Sequence, residues 1–325
     1  MTRIPADLAV IVVTWNVRDL VLNALRTLYA DLATSGLDAA VWVVDNQSAD
    51  GTAAAIRDAF PQTNVIEAGG NLGFAAGNNV GLRALGFHDQ PTSAPHAPRA
   101  VFLLNPDTLT HPGAVRALYD ALFSLPGAGL VGAQLAYEDG SFQHSAFRFP
   151  SLPQLVIDLF PLPPRLFGRL YETRWNGRYP RALYAAGRPF AVDHPLGATM
   201  MLRREVIAQT GLFDEQFFMY CEEVDWSLRI CKVGWRIYTV PQANVTHLEG
   251  RSSTQVRPRA FLNLWTSRLA LYRKHYVGWK LQTALTFVRI GLRLKRSALS
   301  RDSAYVPADR QALLDACDAL LLRAR

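Results

Sequence analysis

The sequence predicts an α/β protein built on a mostly parallel sheet with helices on both faces, followed by a basic helical extension. Three observations carry that prediction. Short, wholly apolar, β-rich runs recur at residues 8–13 (LAVIVV), 40–44 (AVWVV) and 100–104 (AVFLL), as in strands buried on both faces. Segments with apolar residues at helical spacing lie between them. Polar residues of chemical interest, Thr14, Asp45, Asn71 and Asn105, stand at or just beyond the ends of the apolar runs, where open parallel sheets bind their ligands.

Taken in order, strand 8–13 leads into a helix whose apolar face is Leu20, Val21, Ala24, Leu25, Leu28, Tyr29 and Leu32. Strand 40–44 ends at Asp45, and Ser48, Asp50 and Gly51 form a turn that starts a helix over 52–60. A short strand over 64–68 and a glycine turn over 70–73 precede a helix ending near Leu85. Prolines at 91, 95 and 98 mark a surface loop. Strand 100–104 then runs into Asn105-Pro106-Asp107. A hairpin is expected around Glu138-Asp139-Gly140. Residues 152–190, rich in Pro, Arg and aromatics, read as an insertion over the active face. A strand over 197–202, a helix over 222–233 and a strand over 235–240 complete the unit, with Val245-Thr246-His247 following. The expected organisation is a catalytic domain over 1–250, with a nucleotide half to about 110 and an acceptor half over 111–250. A basic amphipathic helical region follows over 251–325.

The chain has 325 residues, half of them apolar and 19% charged, which suits a packed core and excludes a disordered chain. Cys221, Cys231 and Cys317 are too few for a disulfide framework and lack zinc-site spacing, so a reducing compartment is expected. The first residues carry no signal pattern. The apolar stretch 281–294 is interrupted by Arg289 and Arg293 and is too short to cross a bilayer. The net charge of +7 is concentrated: residues 250–301 contain twelve Lys or Arg and no Asp or Glu, leaving −5 for the rest. Trp265, Tyr272, Tyr276 and Trp279 are interleaved with those cations, a pattern suited to an anionic membrane surface. The competing readings are a solvated amphipathic helical pair and a nucleic-acid surface; no nucleic-acid motif is present. The expected location is cytoplasmic and peripheral, on the inner face of the cytoplasmic membrane.

The first strand runs into Thr14-Trp15-Asn16 rather than a glycine fingerprint, and no phosphate-binding P-loop exists, so a dinucleotide enzyme is disfavoured. Asp45 can accept from the N3–H of a pyrimidine; the alternative is a cap on the helix near Thr52. Asn105-Pro106-Asp107 can hold a divalent cation against a diphosphate, since Mg²⁺ and Mn²⁺ take oxygen ligands and keep waters; the alternative is an Asx-Pro turn. Glu222, Glu223 and Asp225 crowd three acids into one helical turn beside Phe217, Phe218 and Tyr220. That raises at least one pKa and suits a general base, or simply complements the helix dipole. His247 suits Mn²⁺ as a further ligand, or is a packing residue.

Seven ordered segments resemble the inverting family-2 glycosyltransferases of the GT-A fold, in the rhamnosyltransferase-like branch. They are VIVVTWN (10–16), VVDNQSADGT (43–52), GGNLGFAAGNNVGL (69–82), LLNPD (103–107), GATMMLRRE (197–205), GLFDEQFFMYCEEVDWSLR (211–229) and the late His247. The resemblance implies a Rossmann-like GT-A domain that moves a sugar from a dTDP- or UDP-linked donor, rhamnose foremost. The acceptor is a hydroxyl of a lipid-linked or cell-envelope polysaccharide. It implies that Thr14, Asn16, Asp45, Asn46, Ser48, Asn71, Gly73, Phe74, Asn78, Asn105, Asp107 and Gly197 line the nucleotide-sugar site. Asp107, His247 and Asn105 would hold Mg²⁺ or Mn²⁺. Glu223 would be the base, with Glu222 and Asp225 beside it. This chain has Glu-Glu where many relatives have Glu-Asp, which leaves the base open between Glu222 and Glu223. Asn105 stands where the usual Asp-x-Asp has its first acid. A homodimer is left open. The rival readings are a catalytically inactive sugar-nucleotide-binding protein and a nucleic-acid-binding protein.

Overall fold

A computed structural model describes residues 4–160, 162–248, 257–301 and 306–325. Leu8–Thr14 (β1), Arg18–Ser35 (α1), Ala39–Asp45 (β2), Thr52–Ala59 (α2), Asn64–Glu67 (β3), Gly73–Ala84 (α3) and Ala100–Leu104 (β4) follow the expected alternation. Next come Thr108–Thr110 (β5), Ala114–Ser124 (α4), Ala128–Ala136 (β6), Phe142–Gln143 (β7) and Ala146–Phe147 (β8). The insertion holds Leu152–Leu159 (α5), Pro164–Leu170 (α6), a 3₁₀ turn at Arg174–Asn176 and Arg181–Ala185 (α7). Phe190–Val192 (β9), His194–Pro195 (β10), Thr199–Arg203 (β11), Arg204–Thr210 (α8), Glu222–Lys232 (α9) and Arg236–His247 (β12) complete the α/β unit. Arg257–His275 (α10), Gly278–Arg301 (α11) and Pro307–Arg323 (α12) end the chain.

The main sheet runs β3-β2-β1-β4-β11-β6-β12-β5. The β3, β2, β1 and β4 strands are mutually parallel, β11 is antiparallel to β4 and β6, and β12 is parallel to β6. All seven residues of β1 are buried. Leu8, Val10 and Val12 face one core with Val21 and Leu25 of α1 and Val115 and Leu118 of α4. Ala9, Ile11 and Val13 face the other with Ala75 and Leu82 of α3 and Trp226 and Ile230 of α9. Burial on both sides explains why this run is continuously apolar rather than alternating.

Register places the site. Thr14 pairs with Asp45 and Val12 with Leu104, so the ends of β1, β2 and β4 reach one rim. The antiparallel β11 starts there, opposite Leu104, and the Asn105 amide donates to the Ala198 carbonyl at 3.0 Å. The expected strand over 235–240 is longer: β12 continues through a register shift to His247, which pairs with Thr108 beyond β4.

The C-terminal helices pack on one another and on the insertion. Leu155 of α5 shares a cluster with Trp265, Leu285, Val288, Leu292 and Cys317, and Leu159 lies against Gly291. The first part of the insertion is therefore seated on α11. The expected domain boundary at residue 250 and the cation Arg251 lie outside the described residues. Several cations of the basic stretch are engaged internally: Arg268 with Asp158 at 2.8 Å, Arg296 with Asp318 at 2.6 Å, and Lys274 with Asp214 at 2.5 Å and Asp225 at 2.7 Å.

Candidate active site

Asp45 is buried at the end of β2, and both of its oxygens accept from Ser48, from the hydroxyl at 2.5 Å and the amide at 2.9 Å. The Ser48 hydroxyl in turn accepts the Asn16 amide at 2.8 Å, and the Asn16 side-chain oxygen accepts the Ala49 amide at 2.7 Å. Asn16 and Gln47 both hold positive φ, at 52° and 61°. These bonds lock the loops after β1 and β2 into one unit. The helix cap weighed as the alternative role of Asp45 is not made: Gly51 stands at the cap position with no side-chain cap bond, and Asp50 before it accepts the Thr52 amide at 3.1 Å.

The loop before α3 is held from two sides. Asn46 donates to the Gly73 carbonyl at 3.0 Å, and the Phe74 amide donates to the Phe218 carbonyl at 2.9 Å. Gly73 has φ +81°, and a Cβ there would lie 2.2 Å from the Phe218 oxygen. Glycine is required on both counts. The Asn71 side chain accepts the Gly73 amide at 3.1 Å. Asn78 is buried and donates to the Phe74 carbonyl one turn earlier in α3 at 2.9 Å.

At the far side of the rim, His247 Nε2 lies 3.4 Å from Asp107 Oδ1, and the Leu248 amide donates to the Asp107 carbonyl at 2.8 Å. His247 Nδ1 meets the Gln143 amide nitrogen at 3.2 Å. The Asp107 Oδ1 and Asn105 Oδ1 atoms are buried with no hydrogen-bond partner among the described residues. The Asn105 side chain thus does not close the Asx-Pro turn weighed above. Buried acceptors left bare are costly, and two oxygens beside an imidazole are a donor set a hard divalent cation accepts. Among the described residues no group of three or more His, Cys, Asp or Glu is placed to hold a metal ion by itself. A cation here would complete its shell with waters or ligand oxygens, as Mg²⁺ commonly does.

The acid cluster divides. Tyr220 and Cys221, both with φ near +70° (69° and 68°), turn the chain sharply into α9. Consecutive non-glycine residues in this region store strain. Glu222 and Glu223 follow, each with one buried oxygen lacking a partner. Burial first, and then the neighbouring Glu223 charge, push Glu222 well above the usual carboxylate range; burial raises Glu223 to about 7. Glu223 approaches the strand-end rim: a Cβ on Gly197 would be 3.9 Å from its Cβ and from the Phe74 ring. Asp225 does not join this pair. It is fully buried and meets Arg229 at 2.9 Å, His275 at 2.8 Å and Lys274 at 2.7 Å. Despite burial, the bonds from His275 and Lys274 and the Arg229 charge hold its carboxyl down at about 2. Asp225 fastens α9 to α10, a structural role in place of the catalytic one expected.

The rim thus joins Asp45, Asn46, Gly73, Phe74, Gly197 and Glu223 through successive contacts, and the Asn105–Ala198 bond carries it on to Asp107 and His247. Sequence reasoning missed Gln143, His275 and the role of Lys274. Each acts through a long-range contact with no local signature.

A parallel half-sheet extended by an antiparallel strand, with polar loops and carboxylates gathered at one rim, is the architecture of a GT-A glycosyltransferase. The comparisons agree. The mannosyltransferase PcManGT from Pyrobaculum calidifontis, solved with GDP-Man and Mn²⁺, superposes with a TM-score of 0.55 at 19% identity, over 99% of this chain and 88% of that one. That likeness speaks for the fold. The family model described as "Glycosyltransferase like family 2" matches residues 5–261. The N-acetylglucosaminyl-diphospho-decaprenol L-rhamnosyltransferase of Mycobacterium tuberculosis is 34% identical over 216 residues, 66% of this chain and 67% of the relative. The low-salt glycan biosynthesis hexosyltransferase Agl10 of Haloferax volcanii is 26% identical over 226 residues, 69% of this chain and 61% of the relative. The chain belongs to glycosyltransferase family 2, and it is similar to a rhamnosyltransferase within it.

The raised pair carries a testable consequence. Between pH about 4.5 and about 7 the native chain keeps protons that the unfolded chain has released. Stability from this pair therefore falls as pH rises through that window. Glu222→Gln removes one buried acid and leaves Glu223, whose position is set by burial. Denaturant midpoints are expected to lose part of that slope, making the variant more stable than wild type at pH 8, while the limb near 7 of any activity profile stays in place. A variant with the wild-type slope would show that the two carboxyls titrate independently of folding.

Proposed function

We propose that this glycosyltransferase moves a sugar, rhamnose foremost, from a dTDP- or UDP-linked donor to a hydroxyl of a lipid-linked or envelope-polysaccharide acceptor, inverting the anomeric centre. The observation that carries the reading is the Glu222–Glu223 pair. Glu223, raised to about 7, lies beside Gly197 and Phe74 on the rim where the strands end. The Mycobacterium tuberculosis relative, named for a diphospho-decaprenol substrate and L-rhamnosyl transfer, supports the choice of donor sugar and acceptor class.

Asp45, Asn16, Ser48 and Thr14 receive the base, and the Asn71–Phe74 loop lies against the ribose and diphosphate. Asp107, His247 and Asn105 fit a divalent cation, Mg²⁺ or Mn²⁺, which would supply Lewis-acid neutralisation of the diphosphate charge. Glu223 accepts the proton of the acceptor hydroxyl. The freed oxygen pair bonds to the anomeric carbon as the bond to the diphosphate oxygen breaks, with oxocarbenium character between. The products are an inverted glycoside, a nucleoside diphosphate and protonated Glu223. A base whose pKa lies near working pH is efficient in both proton uptake and release. The acceptor reading also implies contact with an anionic membrane surface through residues 251–301. Among the described residues no helix is long and apolar enough to cross a membrane.

The test is transfer from a panel of sugar nucleotides, with Mg²⁺ or Mn²⁺, onto a polyprenyl-diphospho-sugar, with the product anomer read by NMR. Inversion with dTDP-rhamnose is expected. A retained anomer would overturn the single displacement, and turnover with no donor in the panel would overturn the donor assignment.

A further inference from the structure

The helix α11 is apolar on two opposite sides. Ala284, Leu285, Val288, Leu292 and Leu299 form its buried face. Roughly opposite, at 3.6 residues per turn, stand Trp279, Ile290 and Leu294, which are 75%, 41% and 49% exposed. A helix apolar on both sides needs a second partner beyond its own core. Arg289 and Arg293 flank this outer stripe, and among the described residues neither has a carboxylate partner. They open, with Arg325, into a cleft of about 530 Å³ against α12, whose Leu322 is 61% exposed. Among the described residues lining the cleft the one acidic side chain is Asp318, already paired with Arg296 at 2.6 Å. Neither α10 nor α11 contains an Asp or Glu.

We propose that the outer face of α11 beds on an anionic phospholipid bilayer. Trp279, Ile290 and Leu294 enter the headgroup–acyl boundary, and Arg289, Arg293 and Arg325 take lipid phosphates in the cleft. The inference rests on the lipid-linked acceptor proposed above and narrows the basic segment to one face. An apolar stripe bordered by unpaired arginines is the pattern of a helix lying in a membrane interface, and an indole suits the headgroup level. A protein partner is disfavoured because the cations line a concave cleft rather than a flat face, with no acid in α10 or α11 to select a mixed-charge surface.

Flotation of the full chain with phosphatidylcholine vesicles containing about a quarter phosphatidylglycerol tests this. Wild type is expected to float at low salt and less at high salt. Ile290→Ser with Leu294→Ser keeps the charge and is expected to weaken binding at least about tenfold. Arg289→Gln with Arg293→Gln is expected to do the same at low salt. Donor-induced thermal shift, measured in parallel, checks that the fold and donor site of each variant persist. It also reads separately from flotation, so loss of the transferase reading leaves the lipid result intact. Flotation of the serine variant equal to wild type would overturn the proposal. So would light scattering showing a wild-type dimer that the serine variant dissolves, with no vesicle binding; the stripe would then be a self-interface.

Discussion

Glu223→Gln lowers turnover by about 10²–10⁴-fold, the range expected for losing a positioned general base, while donor affinity stays close to wild type. The amide keeps the shape and the neighbours of the carboxyl, Gly197 and Phe74, but cannot accept the hydroxyl proton. The wild-type rate rises through pH about 7 as the acid ionises, and that limb disappears in the variant. Steady-state transfer across pH, with donor titration at each point, checks both parts. Glu222→Gln is the matched control, since it removes the other member of the pair and is expected to retain most turnover. Equal losses in the two variants would move the base assignment away from Glu223. Full turnover in Glu223→Gln would remove it altogether.

Asp225→Ala destabilises the chain by about 3 kcal/mol, the lower end of the 3–5 expected when one partner of a buried ion pair is deleted. The lower end applies because Arg229, Lys274 and His275 are each 22–29% exposed and regain water, whereas Asp225 is wholly buried. The effect depends on pH with a defined sign. The Asp225 carboxyl is held at about 2, below its ordinary 3.8. Its contribution is therefore complete above 3.8 and fades as pH falls towards 2. Denaturant midpoints of wild type and variant are expected to differ at pH 7 and to converge in strong acid. The same deletion loosens α9 from α10, so turnover falls along with stability. A variant as stable as wild type at pH 7 would mean that Arg229, Lys274 and His275 do not depend on this anion.

The fold was legible wherever a segment's burial is set locally. The run at 8–13 is apolar at every position because both faces of β1 are covered, and its helix partners show the complementary spacing. The elements also stopped where expected: Asp45, Asn71 and Asn105 do fall at or just beyond strand ends. The residues Asp45, Asp107, Glu223 and His247 were each ambiguous in isolation. Asp45 reads equally as a cap until both of its oxygens are seen to accept from Ser48 and Gly51 is seen at the cap position. Asn105-Pro106-Asp107 reads as a turn until its side-chain oxygens are seen bare. Asp225 looked like a third active-site acid because spacing along a helix says which residues are neighbours in sequence. It does not say which face meets α10, fifty residues later.

Amino-acid order alone determined the strand–helix alternation, the ends at which polar groups collect and the concentration of cations after residue 250, since these follow from local hydrophobic periodicity and composition. Tertiary structure decided which acid is neutralised by cations and which is left to hold a proton, that Gln143 supports His247, and that α11 keeps an apolar stripe turned away from its own core. Burial and partner charge set those outcomes. Both depend on which distant segments pack together, and no pattern along one segment encodes that.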